Sequence, residues 1–361
     1  HTTEDFYSPA SATVGFFSNG YGSVGNKTWE SDQLEATATY HKLLAEKHEI
    51  DLLGGFTTQT TTSESTVAAA ADFPNDNLGY HSLQSGAQRV APQTGGLKST
   101  LNSFIGRVNY TFNGKYNLTA TLRADGSSRF ADSHKWGYFP SVGVSWNVSD
   151  ESFLQRVSWL RDLKVRASYG TVGNQEIGDY QFLSKYASTL GYYYFNGTLT
   201  TGFYRTSLSN PDLKWETTRA FNIGADVSLF GGRLNITADY YVKKTSDLLV
   251  NIGVEQTTGF SSQLRNVGNV ENSGVELSVN ATPLQRKRLV WNVYANIAHN
   301  KNKVTSLGDT QTQIINSNQT IIRVGEALGT FYGWQFDGLV QKDQSLSSVP
   351  VPVSKTNVEY G

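Results

Sequence analysis

Between Leu213 and Val242 the chain reads LKWETTRAFNIGADVSLFGGRLNITADYYV. Phe221, Ile223, Ala225, Val227 and Leu229 take every second place, with Asn222, Gly224, Asp226 and Ser228 between them. After Gly231-Gly232 the alternation resumes through Leu234, Ile236, Ala238, Tyr240 and Val242. Period two over such a length demands extended strand and excludes helix. Gly-Gly permits the positive φ angles of a type I′ turn, which predicts a two-residue loop with Phe230 opposite Arg233. Leu229 then faces Leu234, Val227 faces Ile236, Ala225 faces Ala238, Ile223 faces Tyr240 and Phe221 faces Val242. One register puts every apolar side chain on one face. Ser228 with Asn235, Asp226 with Thr237 and Asn222 with Tyr241 occupy the other.

A soluble β-sandwich also buries one face of each strand. Length separates the two cases. Soluble strands typically run ~5–6 residues, whereas a membrane-spanning strand needs about 9–11 in the hydrocarbon alone. The strands of this hairpin are long enough to span. Their apolar face would meet lipid and their Asn/Asp/Thr/Ser face a wet lumen.

Composition agrees. The 361 residues carry 38% hydrophobic content, a net charge of -1 and no cysteine. The charge gives no case for a nucleic-acid partner, and no disulfide framework or thiolate metal site is available. No run of about 18 apolar residues exists; the nearest, Val67 to Ala71, is far too short. Barrel strands escape such a scan because they alternate. The chain starts at His1, contains no methionine and stops at Gly361 in a Pro/Ser-rich stretch. We expect an internal piece of a longer polypeptide.

Further strands follow the same logic. The first is expected around Ala10 to Phe17, with a loop after it as far as Thr28. Leu34, Ala36, Ala38 and Tyr40 pair with Ile50, Leu52, Gly54 and Phe56 across a turn at His41 to Glu49. Thr57 to Thr100 shows no period and is expected to be a long polar segment. Phe104, Val108, Tyr110 and Phe112 answer Tyr116, Leu118, Ala120 and Leu122. A two-residue Asn113-Gly114 turn would mix the faces, so a three-residue loop, Asn113-Gly114-Lys115, is expected. Trp136 to Asn147 is a strand despite Pro140, and Ser149 to Asp162 holds a short helix capped by Ser149. Leu163 to Tyr169 is strand, and Thr171 to Pro211 a second long loop. Lys244 to Asn272 is a third loop. Val275, Leu277, Val279 and Ala281 pair with Leu289, Trp291, Val293 and Ala295. Asn300 to Thr330 is a last long segment, before Phe331 to Gln341 as strand or structured loop. Long and short connections alternate, as in an up-and-down barrel with short periplasmic turns and long outer loops. Roughly ten strands are expected, all antiparallel.

Several stretches resemble the SusC/RagA family of TonB-dependent outer-membrane transporters. They are FPNDNLGY (Phe73 to Tyr80), FIGRVNYTFNGKYNLTATLRADGSSRF (Phe104 to Phe130) and KWGYFPSVGVSWNVSDESF (Lys135 to Phe153). LKVRASYGTVGNQEIGDYQF (Leu163 to Phe182), NPDLKWETT (Asn210 to Thr218), GFSSQLRNVGNVENSGVEL (Gly259 to Leu277) and LGTFYGWQFDGLVQ (Leu328 to Gln341) continue in the family's order. The resemblance implies an all-β, antiparallel transmembrane barrel of about 22 strands with a plugged lumen. Residues 1–361 would be about half of that barrel domain, roughly ten to twelve strands. The plug domain, the N-terminal extension and the closing strands would lie elsewhere in the parent protein. It further implies import of glycans or peptides in a bacterial outer membrane. The partners would be outer-membrane lipid, a SusD-like surface lipoprotein, and the TonB-ExbB-ExbD complex reached through the N-terminal region. A passive porin or adhesin is the rival on the same strand pattern, and a soluble β-sandwich binding module the second rival.

No catalytic signature is present: neither HExxH, GxSxG nor a P-loop occurs, so no enzyme, cofactor or metal is expected. His41 and His48 are read as solvated turn residues. Asp125-Gly126-Ser127-Ser128 lacks the alternating ligands of a calcium loop and is read as a turn. Trp136, Trp146, Trp215 and Trp291 are assigned to an interfacial girdle rather than to sugar stacking. Arg107, Arg123, Lys164, Arg166 and Lys243 share the polar parity and face the lumen. The candidate substrate- or lid-binding residues are Tyr192, Tyr193, Tyr194 and Phe195, expected mid-loop beyond any strand, and Asn75, Asn77 and Tyr80 of the Phe73–Tyr80 motif.

Overall fold

The computed structural model describes residues 2–12, 18–308, 313–317 and 319–333. The strands, in order, are β1 (Thr2–Ser8), β2 (Tyr21–Leu44), β3 (His48–Ala71), β4 (Gln88–Phe112), β5 (Tyr116–Ser127), β6 (Trp136–Asn147) and β7 (Leu160–Asn174). They continue as β8 (Tyr186–Phe195), β9 (Thr198–Arg205), β10 (Glu216–Leu229), β11 (Leu234–Ser246), β12 (Leu249–Gly253) and β13 (Ser262–Asn266). β14 (Asn269–Arg286), β15 (Leu289–Ser306), β16 (Gln313–Ser317), β17 (Thr320–Arg323) and β18 (Thr330–Phe331) complete them. Eleven form one sheet, in the order β1-β2-β3-β4-β5-β6-β7-β10-β11-β14-β15. It is a meander with no crossover. β8–β9 and β12–β13 are separate hairpins inserted in the long connections.

The β10–β11 register is the expected one, from Leu229↔Leu234 to Phe221↔Val242. The loop differs. Phe230, Gly231 and Gly232 all have positive φ, so four residues, not two, separate the paired ends. Phe230 does not face Arg233 in the ladder; its N–H donates to the Trp159 carbonyl at 2.8 Å. At Asn113 the three-residue loop forms, with Phe112↔Tyr116 as the last pair.

Carrying the registers across the sheet shows what the alternation does. One row runs Ile50, Tyr110, Leu118, Val144, Ala167, Ile223, Tyr240, Val275. The next row, on the opposite face, runs Asp51, Asn109, Thr119, Gly143, Ser168, Asn222, Tyr241, Gly274. The first face is open: Leu118 is 40% exposed, Ile223 43% and Val144 51%. Neither Val227 nor Ile236 is buried. A soluble sandwich would cover this face with a second sheet. A continuous uncovered apolar face is what lipid requires.

Several segments depart from the sequence reading, for a common reason. β3 continues through Thr57–Ala71 and β4 begins at Gln88, so only residues 72–87 of the expected polar segment are loop. These strand ends lie beyond the alternating rows, and some of their residues pack on loops, as the buried Ala70 and Ala71 do, so no apolar period marks them. Likewise β2 starts at Tyr21 inside the expected loop, β7 runs to Asn174, and β15 to Ser306. The first strand is Thr2–Ser8 rather than 10–17; 13–17 lie outside the described residues, as do 334–341. No α-helix forms in 149–162. A 3-10 turn at Val148–Asp150 leads into successive i→i+3 bonds, Leu154 N to Glu151 O, Val157 N to Leu154 O and Leu160 N to Val157 O. So short a segment cannot recover helix nucleation without a packed face, and Phe153 and Trp159 are exposed. Pro140 is accommodated because the β6–β7 ladder begins only at Ser141↔Gly170. Pro283 lies in a bulge between Ala281 and Leu284.

Candidate functional site

The main buried core lies at the long-loop end, not in the sheet. Phe130, Phe139, Ile177, Leu213 and Trp215 form it, with Leu101, Phe182, Leu249 and Leu264 packed around them. Phe139 leaves the lumen face of β6 and meets the Trp215 ring edge-on at 5.4 Å; the Phe130 ring lies tilted against the same indole at 5.3 Å. Glycine is required beside Phe139, since a Cβ on Gly137 or Gly173 would overlap its ring. The Trp215 indole N–H donates to the Lys135 carbonyl at 3.0 Å, which settles the one polar atom of a buried ring.

Polar side chains tie the same loops together. Arg129 pairs with Asp179 at 2.9 Å and donates to the Gln175 carbonyl. Asn210 donates to the Leu264 carbonyl at 2.8 Å. Asn266 accepts from Lys214 N–H and donates to the carbonyls of Lys214 and Asp247, tying β13 to the segments just before β10 and just after β11. The connections 128–135, 175–215 and 247–268 are therefore one braced block. Trp215, 7% exposed, belongs to it and not to a membrane girdle. Trp136, Trp146 and Trp291 do stand exposed on the outward face.

The loop 72–87 is built differently. Phe73 is buried and meets Tyr7 edge-on at 5.4 Å. Gly20 and Gly22 let these rings approach the backbone of the β1–β2 turn, and Gly20 also holds a φ of +89°. The Tyr7 hydroxyl donates to Asp76 at 2.6 Å. Burial first, then this bond, pushes the phenol up to about 12. Asn75 Oδ1 accepts from the Asn77 N–H at 3.1 Å, an Asx turn that folds the loop on itself. Asn75 and Asn77 are exposed, and Tyr80 is half-buried beside His81.

Tyr192, Tyr193, Tyr194 and Phe195 lie at the end of β8, not mid-loop beyond any strand. Tyr194↔Leu199 and Phe195↔Thr198 close a hairpin over Asn196-Gly197, both at positive φ. Tyr194 is 76% and Phe195 72% exposed, with Phe203 and Tyr204 of β9 also open. Those rings are not a satellite core steadying the loop. The two candidate groups occupy different connections, β3–β4 and β7–β10.

A family model described as TonB dependent receptor-like, beta-barrel, matches residues 2–352. The chain belongs to that family. It is an outer-membrane barrel segment of the SusC/RagA type. TonB-dependent receptor P3 of Formosa agariphila is 36% identical over 337 residues, covering 89% of this chain and 33% of that protein. TonB-dependent receptor SusC of Bacteroides thetaiotaomicron is 37% identical over 257 residues, 66% of this chain and 25% of that protein. Among solved structures, the RagAB peptide transporter superposes with a TM-score of 0.77 at 31% identity, covering 85% of this chain and 34% of that one. The chain thus spans about a third or less of the relatives it matches.

In a TonB-dependent receptor barrel the polar face is the lumen wall, and here it is internally paired. Arg166 bridges Asp226 at 3.1 Å and Asp239 at 2.7 Å, across three strands. Arg123 holds both Asp125 oxygens, at 2.8 and 2.9 Å, and donates to Ser103. Arg107 donates to Thr121. Asp239 Oδ1 is the one buried side-chain polar atom without a hydrogen-bond partner among the described residues. Lys243 shares its strand parity with Asp239 and Tyr241 and lies over the Tyr241 ring. Near the short turns, His41, Glu49 and Asp51 gather on the lumen side, His41 Nδ1 being 2.7 Å from Asp51 and 4.0 Å from Glu49. His48 parts from them: it has the outward parity of Phe112 and bonds Tyr110 at 2.7 Å.

Sequence reasoning missed the brace of this receptor barrel. Its members, Phe130, Phe139, Ile177, Leu213 and Trp215, each sit inside a family-like motif. The available signal was that these motifs break the alternation at strand ends and are rich in Gly and Asn.

Proposed function

We propose that the parent receptor imports glycans, peptides or other nutrients across the outer membrane. A SusD-like surface lipoprotein closes over the long-loop mouth, and TonB-ExbB-ExbD supplies the energy through the N-terminal region. This chain does no covalent chemistry; it is the wall and part of the mouth. Tyr192, Tyr193, Tyr194 and Phe195, with Asn75, Asn77 and Tyr80, are the contacts to substrate or lid. The observation that carries the reading is the braced mouth beside an open aromatic hairpin. Three connections are locked around Trp215, yet Tyr194 and Phe195 stay in solvent. Exposed rings on a firm support are suited to stacking on sugar rings or packing on a partner protein.

Uptake of labelled oligosaccharide or peptide mixtures by cells carrying the parent receptor should stop when a protonophore collapses the inner-membrane gradient. It should also fall at least tenfold when Tyr194 and Phe195 are both replaced by alanine. Uptake that survives the protonophore identifies a passive porin and overturns the reading.

A further inference from the structure

On the outward face near the short turns, a groove of about 420 Å³ opens beside the rings of Tyr116 and Trp146. Tyr110 and Leu118 also line it, and Val144, Val165 and Ala167 continue its apolar bed. Its origin is a size mismatch. In the row Tyr110, Leu118, Val144, Ala167, Ile223, alanine is the one small side chain. The next row down sets Val165 against Trp146 and Tyr116. Large rings beside a short bed leave a trough, of a size within the about 300–1,000 Å³ common for ligand sites.

The ring side of the trough is held in place. Phe112, Tyr116 and Trp146 stack in series with centroids 6.2 Å apart at each step. One oxygen of Glu151 accepts from the Tyr116 hydroxyl at 2.7 Å and from the Trp146 indole at 3.3 Å. Its other oxygen takes the Lys115 ammonium at 3.2 Å. The Tyr116 hydroxyl and then Lys115 hold the Glu151 carboxyl below the usual carboxylate range, so it stays ionised. Tyr and Trp rings anchored this way settle at the headgroup level, which puts the trough just inside the hydrocarbon. The turns at this edge are mixed in charge: Lys115 beside the rings is held by Glu151, and Lys47 and Arg233 are exposed, as are Glu46 and Asp150.

We propose that this groove is a specific seat for one phospholipid of the periplasmic leaflet. One acyl chain lies on Val144, Val165 and Ala167 against the Tyr116–Trp146 pair, and the phosphate meets the cations of the short turns. Continuity with the lipid-facing band commits the site to a phospholipid. Preformed walls distinguish it from the rest of the band, because a lipid binding here gives up less freedom than one ordered on a flat surface. The seat is independent of what the receptor imports.

The test is native mass spectrometry of the full receptor in dodecyl maltoside, after delipidation and addition of palmitoyl-oleoyl-phosphatidylglycerol. The wild type should retain one lipid per barrel. Ala167→Trp, and separately Val165→Phe, fill the trough and should lower occupancy at least tenfold. Ala238→Trp, on the same outward face away from the groove, should not. Heat-modifiable gel migration reports that each variant is folded. Dioleoylglycerol, which lacks the phosphate, should be retained at least tenfold less. Wild-type occupancy in both groove variants, equal loss in Ala238→Trp, or equal retention of dioleoylglycerol would each overturn the proposal. So would a wild-type copy number that simply tracks lipid concentration, the mark of annular lipid only.

Discussion

Replacing Ala225 by arginine should cost the folded barrel about 2–4 kcal/mol, the penalty for a cation near the middle of a lipid-facing strand. Ala225 lies between Val165 and Ala238 in the apolar rows, midway between Phe221 and Leu229. Arginine there must either enter hydrocarbon or bend away to reach a headgroup. Asn222→Arg, three positions earlier on the lumen face between Ser168 and Tyr241, should change stability by no more than ~0.5 kcal/mol, as for an ordinary wet-surface site. Urea titration of both variants of the parent receptor in lipid vesicles measures the difference. Equal costs would mean that the two faces do not see different solvents.

Trp215→Ala is expected to remove about 3–5 kcal/mol from the long-loop block, the usual cost of deleting a buried aromatic side chain. Phe130 and Phe139 each lose their contact with the indole, and the Lys135 carbonyl loses its donor. The loss should be local. Hydrogen exchange should quicken in 128–135, 175–215 and 247–268, while the ladders of β5, β10 and β11 keep their protection. Trp215→Phe keeps most of the packing and should recover more than half of the effect. Faster exchange throughout the sheet would place the brace in the barrel's global stability instead.

The parts of this fold that were legible are those in contact with lipid. There the two solvents differ, so residues alternate, and the β10–β11 register could be taken from the sequence pair by pair. Above the membrane the rule lapses. Thr57–Ala71 and the first half of β4 are strands in which apolar and polar residues do not alternate, so the period that marks the other strands is missing. The 149–162 segment misled for a related reason. Phe153, Leu154, Val157 and Leu160 have helical spacing, but Phe153 and Trp159 are exposed, so no packed face sustains a helix. Gly231-Gly232 marked the turn correctly, but the positive φ of Phe230 lengthened the loop. Such a backbone state is uncommon for an aromatic residue and could not be anticipated.

The site was legible only in outline. The run of four aromatics stood out within a polar loop, but it was read as lying beyond any strand, and the β8–β9 hairpin that carries it was not anticipated. Asn75 is exposed, and its oxygen also closes an Asx turn that holds the loop, a local role the motif did not reveal. Trp215 looked like a girdle residue because it neighbours a strand start; its burial depends on Phe130 and Phe139, which arrive from other loops. Contacts between distant segments have no local signature.

In the folded receptor one face of this sheet meets lipid and the other meets water. The chain has no cysteine, so single cysteines can be placed at Ile223, Val227 and Ile236, and at Asn222, Asp226 and Thr237, and spin-labelled in the parent receptor in bilayers. Collision with oxygen, which concentrates in lipid, should dominate at the first three sites, and collision with a water-soluble nickel chelate at the last three. The same oxygen-to-nickel ratio on both faces, or labels at Ile223, Val227 and Ile236 shielded from both reagents, would contradict that arrangement.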